Sequence, residues 1–135
     1  MILVDTSVWV EGLRRGDSPE ANWIRAAVRD KQTLCICGVI VTEVLQGVRH
    51  ARDYAETKAQ MEHLVYLLTP REAYILAADI YRAARARGRT IRNTVDCIIA
   101  ACAIVNDVPL AQRDRDFHII ADLSDLRLVD LPGAG

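Results

Sequence analysis

A small α/β sandwich with a largely parallel sheet is the fold class this sequence predicts. Two observations lead there. Short apolar runs such as Ile2-Leu3-Val4 show no polar alternation, so they read as strands buried on both faces. These runs alternate along the chain with segments of helical periodicity, the pattern that stacks helices on a parallel sheet.

The elements follow in order. After Ile2-Leu3-Val4, residues Thr6 to Leu13 form a helix stopped near Gly16. Ser18-Pro19-Glu20 opens the next, with a capping hydroxyl, a first-turn proline and an early acid, and Trp23, Ile24, Ala27 and Val28 fall at helical spacing. Thr33 to Cys37 is a second strand, and Gly38 turns the chain into a helix from about Val39 to Val48. A charged helix from about Arg52 to Tyr66 comes next, then one from Arg71 to Arg87, opened by Pro70 and closed by Gly88. Thr90 to Thr94 connects to a helix from Val95 to Val105 that is apolar on almost every side, as a central helix is. Pro109-Leu110-Ala111 and Leu126 to Val129 are the last strands, and Leu131 to Gly135 reads as a frayed tail.

At 135 residues, 51% apolar and 26% charged, residues 1–135 are expected to form one globular domain. No apolar run approaches the roughly 18 residues of a membrane span, and Met1 to Asp5 lack the basic segment of a signal peptide. The expectation is cytoplasmic residence with no membrane partner. Cys35, Cys37, Cys97 and Cys102 lack zinc-knuckle spacing and sit in apolar elements, so they read as buried free thiols. A net charge of −1 argues against binding nucleic acid through overall basicity, yet leaves room for a local arginine rim.

The chemistry lies in the acids. Asp5 ends the first strand, Glu43 interrupts an apolar helix, Asp96 opens the most apolar helix, and Asp114 and Asp116 closely follow a late strand. A carboxylate beside a dry core is costly unless paired, protonated or bound to a cation. The only lysines, Lys31 and Lys58, are remote in sequence. Ligands of open α/β sheets gather beyond the carboxyl ends of strands, where Asp5, Asp114 and Asp116 fall. Hard oxygen donors in this number suit Mg²⁺, which can polarise a phosphodiester and acidify a bound water. Each acid also has a plainer role: Asp5 can cap the first helix, Asp96 suits a helix dipole, and Asp114 and Asp116 suit a surface turn. Arg92, Arg113 and Arg115 flank the proposed cleft as candidate RNA-phosphate contacts. Arg82, Arg85 and Arg89 form a helix-face stripe, and Trp9 and Trp23 suit core or subunit contacts.

Val4-Asp5-Thr6-Ser7-Val8-Trp9, Thr42-Glu43-Val44, Asp96-Cys97-Ile98-Ile99-Ala100-Ala101 and Arg113-Asp114-Arg115-Asp116-Phe117, in that order, resemble the PIN-domain ribonucleases. The length resembles their VapC toxin branch. The resemblance implies a PIN-like three-layer α/β/α sandwich and an endoribonuclease dependent on Mg²⁺ or Mn²⁺. It also implies a homodimer neutralised by a VapB-type antitoxin. It makes Asp5, Glu43, Asp96 and Asp114 the acidic quartet and Asp116 an additional acid, with Asp5, Asp96, Asp114 and Asp116 as metal ligands. Glu43 is implied to bind a second ion, orient water or assist proton transfer, and Thr6 and Ser7 to hydrogen-bond behind the ligands. The unpaired negative charge suggests that an antitoxin arginine enters among the acids. A receiver domain needs a lysine that is missing here, and a haloacid-dehalogenase phosphatase needs an aspartate where Ser7 stands. A non-catalytic PIN-like binding module for RNA or protein is the serious alternative.

Overall fold

The computed structural model describes residues 1–13, 17–129 and 131. Strands β1 (Ile2–Val4), β2 (Leu34–Cys37), β3 (Val65–Leu67), β4 (Leu110–Ala111) and β5 (Leu128–Val129) form one parallel sheet in the order β3-β2-β1-β4-β5. Among the described residues, seven helices flank it: α1 (Thr6–Gly12), α2 (Pro19–Arg29), α3 (Gly38–Gln46), α4 (Ala51–Met61), α5 (Arg71–Ala86), α6 (Thr94–Val105) and α7 (Asp116–Asp122). The three-layer α/β/α arrangement is the one the sequence predicts. All four residues of β2 are buried, as a strand covered on both faces requires.

Local chemistry starts and stops the helices. The Ser18 side chain accepts from Ala21 N at the head of α2, and Asn93 accepts from Val95 N at the head of α6. Gly88, at φ +69°, ends the α5 segment in the left-handed conformation that glycine adopts without penalty. Gly12 lets α1 approach α2 closely, because a Cβ there would collide with the Ile24 side chain. The core is continuous around α6, where Cys97, Ile99, Ala100, Ala101, Cys102 and Ala103 are all buried against the sheet and its neighbouring helices. All four cysteines are buried free thiols, as expected from their spacing.

Three expectations need correction. The helix expected from Arg52 to Tyr66 ends at Met61, and Val65–Leu67 is an edge strand paired with β2. The β-branched and aromatic run Val65-Tyr66-Leu67 pairs with a sheet edge better than it extends a charged helix. The segment after Asp114 is no simple loop, because Asp116 opens α7 and buries Phe117 and Ile120. Leu131 is 3% exposed and joins the core rather than a frayed tail. The expected helix stop near Gly16 and the end of the tail, 132–135, lie outside the described residues.

The topology positions the site. From β1 the chain winds through β2 to β3 on one side, then crosses back to β4 and β5 on the other. The winding therefore reverses between β1 and β4, and a crevice opens there beyond the strand ends. Leu3 pairs with Leu110 and Val4 with Ala111. The ladder runs one step further, with Asp5 N donating to Ala111 O at 2.9 Å.

Candidate active site

That crevice is a cleft of about 310 Å³ lined by Asp5, Thr6, Ser7, Glu43, Asp96, Asp114 and Asp116, with Arg92 and Asn93 at its side. All five sequence-predicted acids thus meet in one place. Each arrives on a different support. Asp5 caps α1 from the end of β1, Glu43 lies in α3, Asp96 in the first turn of α6, Asp114 in the loop after β4, and Asp116 at the start of α7. One oxygen from each of Asp96, Asp114 and Asp116 lies within 4.8 Å of the others. Among the described residues, the candidate ligands gathered there are hard carboxylate oxygens, a donor set that fits Mg²⁺ or Mn²⁺ and not a soft or nitrogen-seeking ion.

The acids are held by named contacts. Asp5 Oδ2 accepts from Ser7 N at 3.0 Å and from Ser7 Oγ at 2.6 Å, so its capping role and its place in the cleft coexist. Ser7 Oγ in turn accepts from Arg113 N at 3.0 Å, which docks the Asp114 loop onto α1. Thr6 Oγ1 donates to Glu43 Oε1 at 2.8 Å. Asp116 N donates to Asp114 Oδ1 at 2.9 Å.

Burial and crowding set the electrostatics. Loss of hydration pushes the Asp5 carboxyl above its usual range against the opposing help of the Ser7 hydrogen bonds, and nearby Glu43 adds to the rise. Asp96 is pushed up to about 7, first by burial and then by the charges of Asp5, Asp114, Asp116 and Glu43. Burial and the adjacent Asp96 lift the Cys97 thiol to about 11, so it stays protonated. A bound cation reverses this pressure on the carboxylates.

Arginines distribute differently from expectation. Arg92 reaches into the acids: its backbone N and Nε each donate to Asp116 Oδ2 at 3.1 Å, and Nη2 donates to Asp114 Oδ1 at 3.0 Å. The negative charge is therefore partly paired within the chain, contrary to the premise that it awaits an outside arginine. Arg113 Nε donates to Glu20 Oε1 at 2.5 Å, so this side chain braces α2 instead of facing the cleft. Arg115 is exposed at the N-cap of α7, outside the cleft lining. Arg89 pairs with Asp122 at 3.0 Å, and Arg85 lies over the Tyr81 ring. Sequence reasoning missed Glu20 and Asn93. The Asn93-Thr94-Val95 cap pattern was legible; the pairing of Glu20 with a residue 93 positions away was not.

The PIN-domain model matches residues 2–123, a span containing every element that builds the cleft. The chain belongs to the PIN-domain family. Within it, Ribonuclease VapC11 of Mycobacterium tuberculosis is 38% identical over 133 residues, covering 94% of this chain and 96% of that protein. VapC ribonuclease Mb1587 of Mycobacterium bovis matches to the same extent. Among solved structures, a DNA-bound VapBC from Salmonella typhimurium superposes with a TM-score of 0.77 at 17% identity, over 96% of each chain. VapBC2 from Rickettsia felis, also bound to DNA, gives 0.76 at 16% identity, over 96% of this chain and 98% of that one. These distant structures share the PIN fold, and the mycobacterial relatives place the chain in the VapC ribonuclease branch of the family. Among the described residues no helix is long and apolar enough to cross a membrane.

Proposed function

We propose that this PIN-domain protein is the toxin of a VapBC-type toxin–antitoxin pair. It acts as an endoribonuclease that hydrolyses RNA phosphodiester bonds with Mg²⁺, or Mn²⁺ in its place. The observation that carries the reading is the convergence of Asp96, Asp114 and Asp116 within 4.8 Å at the sheet's switch point, with Asp5 in the same cleft. Residues 1–135 act as one PIN domain, and the working compartment is the cytoplasm, where RNA and antitoxin are both present.

Asp5, Asp96, Asp114 and Asp116 hold the cation. When bound, it offsets their mutual repulsion, polarises the scissile phosphate and acidifies the attacking water. Ser7 fixes the Asp5 carboxylate and ties it to the Asp114 loop. Thr6 aims Glu43 into the cleft, where its carboxylate orients the water and accepts its proton. Arg92, at the cleft wall, and exposed Arg115 are the phosphate contacts for RNA strands flanking the cut. Arg113, paired with Glu20, acts by positioning the loop.

The antitoxin partner suits the groove between α1 and α4. Val10 and Leu13 are exposed there, and the buried Trp9 Nε1 has no hydrogen-bond partner. Homodimerisation suits the opposite end, where exposed Tyr66, Leu68 and Tyr74 surround Val39 at the β3 edge.

RNA cleavage with Mg²⁺ or Mn²⁺, beside EDTA and an Asp5→Asn, Asp96→Asn double variant, tests the function. Cleavage that needs the ion and both carboxylates supports it. Metal-independent cleavage, or full activity in the double variant, refutes it. A folded protein that binds RNA with no turnover establishes the non-catalytic binding module instead.

A further inference from the structure

Arg92 is exposed, yet it contacts the acids at three points. Its main chain and its side chain grip the same oxygen, Asp116 Oδ2, each at 3.1 Å, while Nη2 holds Asp114 Oδ1 at 3.0 Å. The residue before it, Ile91, is buried, and the residue after it, Asn93, caps α6. The backbone from which the guanidinium extends is therefore anchored at the cleft wall. It engages one oxygen of each carboxylate and leaves the second oxygen of each without a hydrogen bond among the described residues. Those second oxygens, with Asp96, are enough for one divalent ion.

We infer that Arg92 is a resident counter-cation. It takes the place that a second divalent ion would occupy beside Asp114 and Asp116, and so limits the cleft to one ion per chain. The inference rests on the metal-dependent reading above. Asp114 and Asp116, the two carboxylates that Arg92 contacts, carry two negative charges, and the guanidinium already offsets one of them. A further divalent ion at the same pair of acids would face Arg92 at hydrogen-bonding range, where like-charge repulsion and loss of a planar two-acid contact both oppose it.

The test counts Mn²⁺ bound per chain, with no RNA present, by the electron paramagnetic resonance signal of the free ion, supported by titration calorimetry. Wild type is expected to bind one ion and Arg92→Gln two. In the variant the first ion binds about tenfold tighter at low salt, as removal of a unit charge about 6 Å from a divalent ion in a watery cleft implies. Arg92→Lys, which keeps the charge, should stay at one ion. Equal counts in folded wild type and Arg92→Gln overturn the role of Arg92 and leave the metal site standing. Two ions on wild type overturn it whatever the variants do, including a variant that does not fold. No ion on wild type overturns the metal-dependent reading as well.

Discussion

Replacing Asp96 by asparagine should make the metal-free protein more stable and the metal-loaded protein less so. The folded carboxyl is pushed from 3.8 up to about 7 by burial and four neighbouring acids. Between those two pH values the folded state holds a proton that the unfolded chain has released. Stability therefore falls as pH rises through the window, and the full penalty is present above it. Roughly three pH units correspond to about 4 kcal/mol, and screening by solvent at this partly exposed site reduces that to about 2–3 kcal/mol. Asparagine removes the penalty but also forfeits a favourable contact with the α6 dipole, worth about 0.3–1 kcal/mol. A net gain of about 1–2 kcal/mol raises Tm by about 3–10 °C for a chain of this size. The assay is thermal unfolding of both proteins in EDTA at pH 7.5 and at pH 5, then at pH 7.5 with Mn²⁺. The variant's advantage should shrink at pH 5, where Asp96 already carries its proton. With Mn²⁺ near a hundredfold above its Kd, wild type gains about 2.7 kcal/mol and the order reverses. A variant no more stable than wild type in EDTA at pH 7.5, or one that keeps the whole Mn²⁺ gain, refutes the reasoning.

Mn²⁺ affinity should rise roughly tenfold per pH unit below about 7, because the ion must displace the Asp96 proton, and level off above it; titrations at pH 5.5, 6.5 and 7.5 check this, and a flat profile contradicts it. Ser7→Ala removes the hydroxyl that joins Asp5 to the Arg113 backbone and should weaken Mn²⁺ binding about 10–100-fold with the circular dichroism spectrum unchanged. Glu20→Ala strands the half-buried Arg113 guanidinium and should cost about 1–3 kcal/mol in urea unfolding. Phe117→Ala empties a fully buried site under α7 and should cost about 3–5 kcal/mol, lowering the urea midpoint correspondingly.

Much of this molecule was legible because its strong signals are local. Ile2–Val4 and Leu34–Cys37 are apolar on both faces, Ser18 and Pro19 mark a helix head, and Gly88 marks a helix end. The acids stood out for an energetic reason: charge at the rim of a dry segment needs a compensating partner. What escaped notice depends on contacts distant in sequence. Val65–Leu67 becomes a strand because β2 offers it an edge, a fact absent from the local pattern of a charged helix running into apolar residues. The helix at Asp116 is only two turns long and exists because Phe117 and Ile120 have a core to enter. Arg92 looked like one more cleft-rim cation, and only the fold brought it onto two carboxylates more than twenty residues away.

The ladder between Val4 and Ala111 joins the first strand of the chain to one near its far end. Until the ribosome has delivered β4 and the turn that follows, the cleft has only three of its five acids and no second wall. Translation products cut short before Asp114 consequently lack Asp114 and Asp116, two members of the three-carboxylate cluster, however well their first half folds.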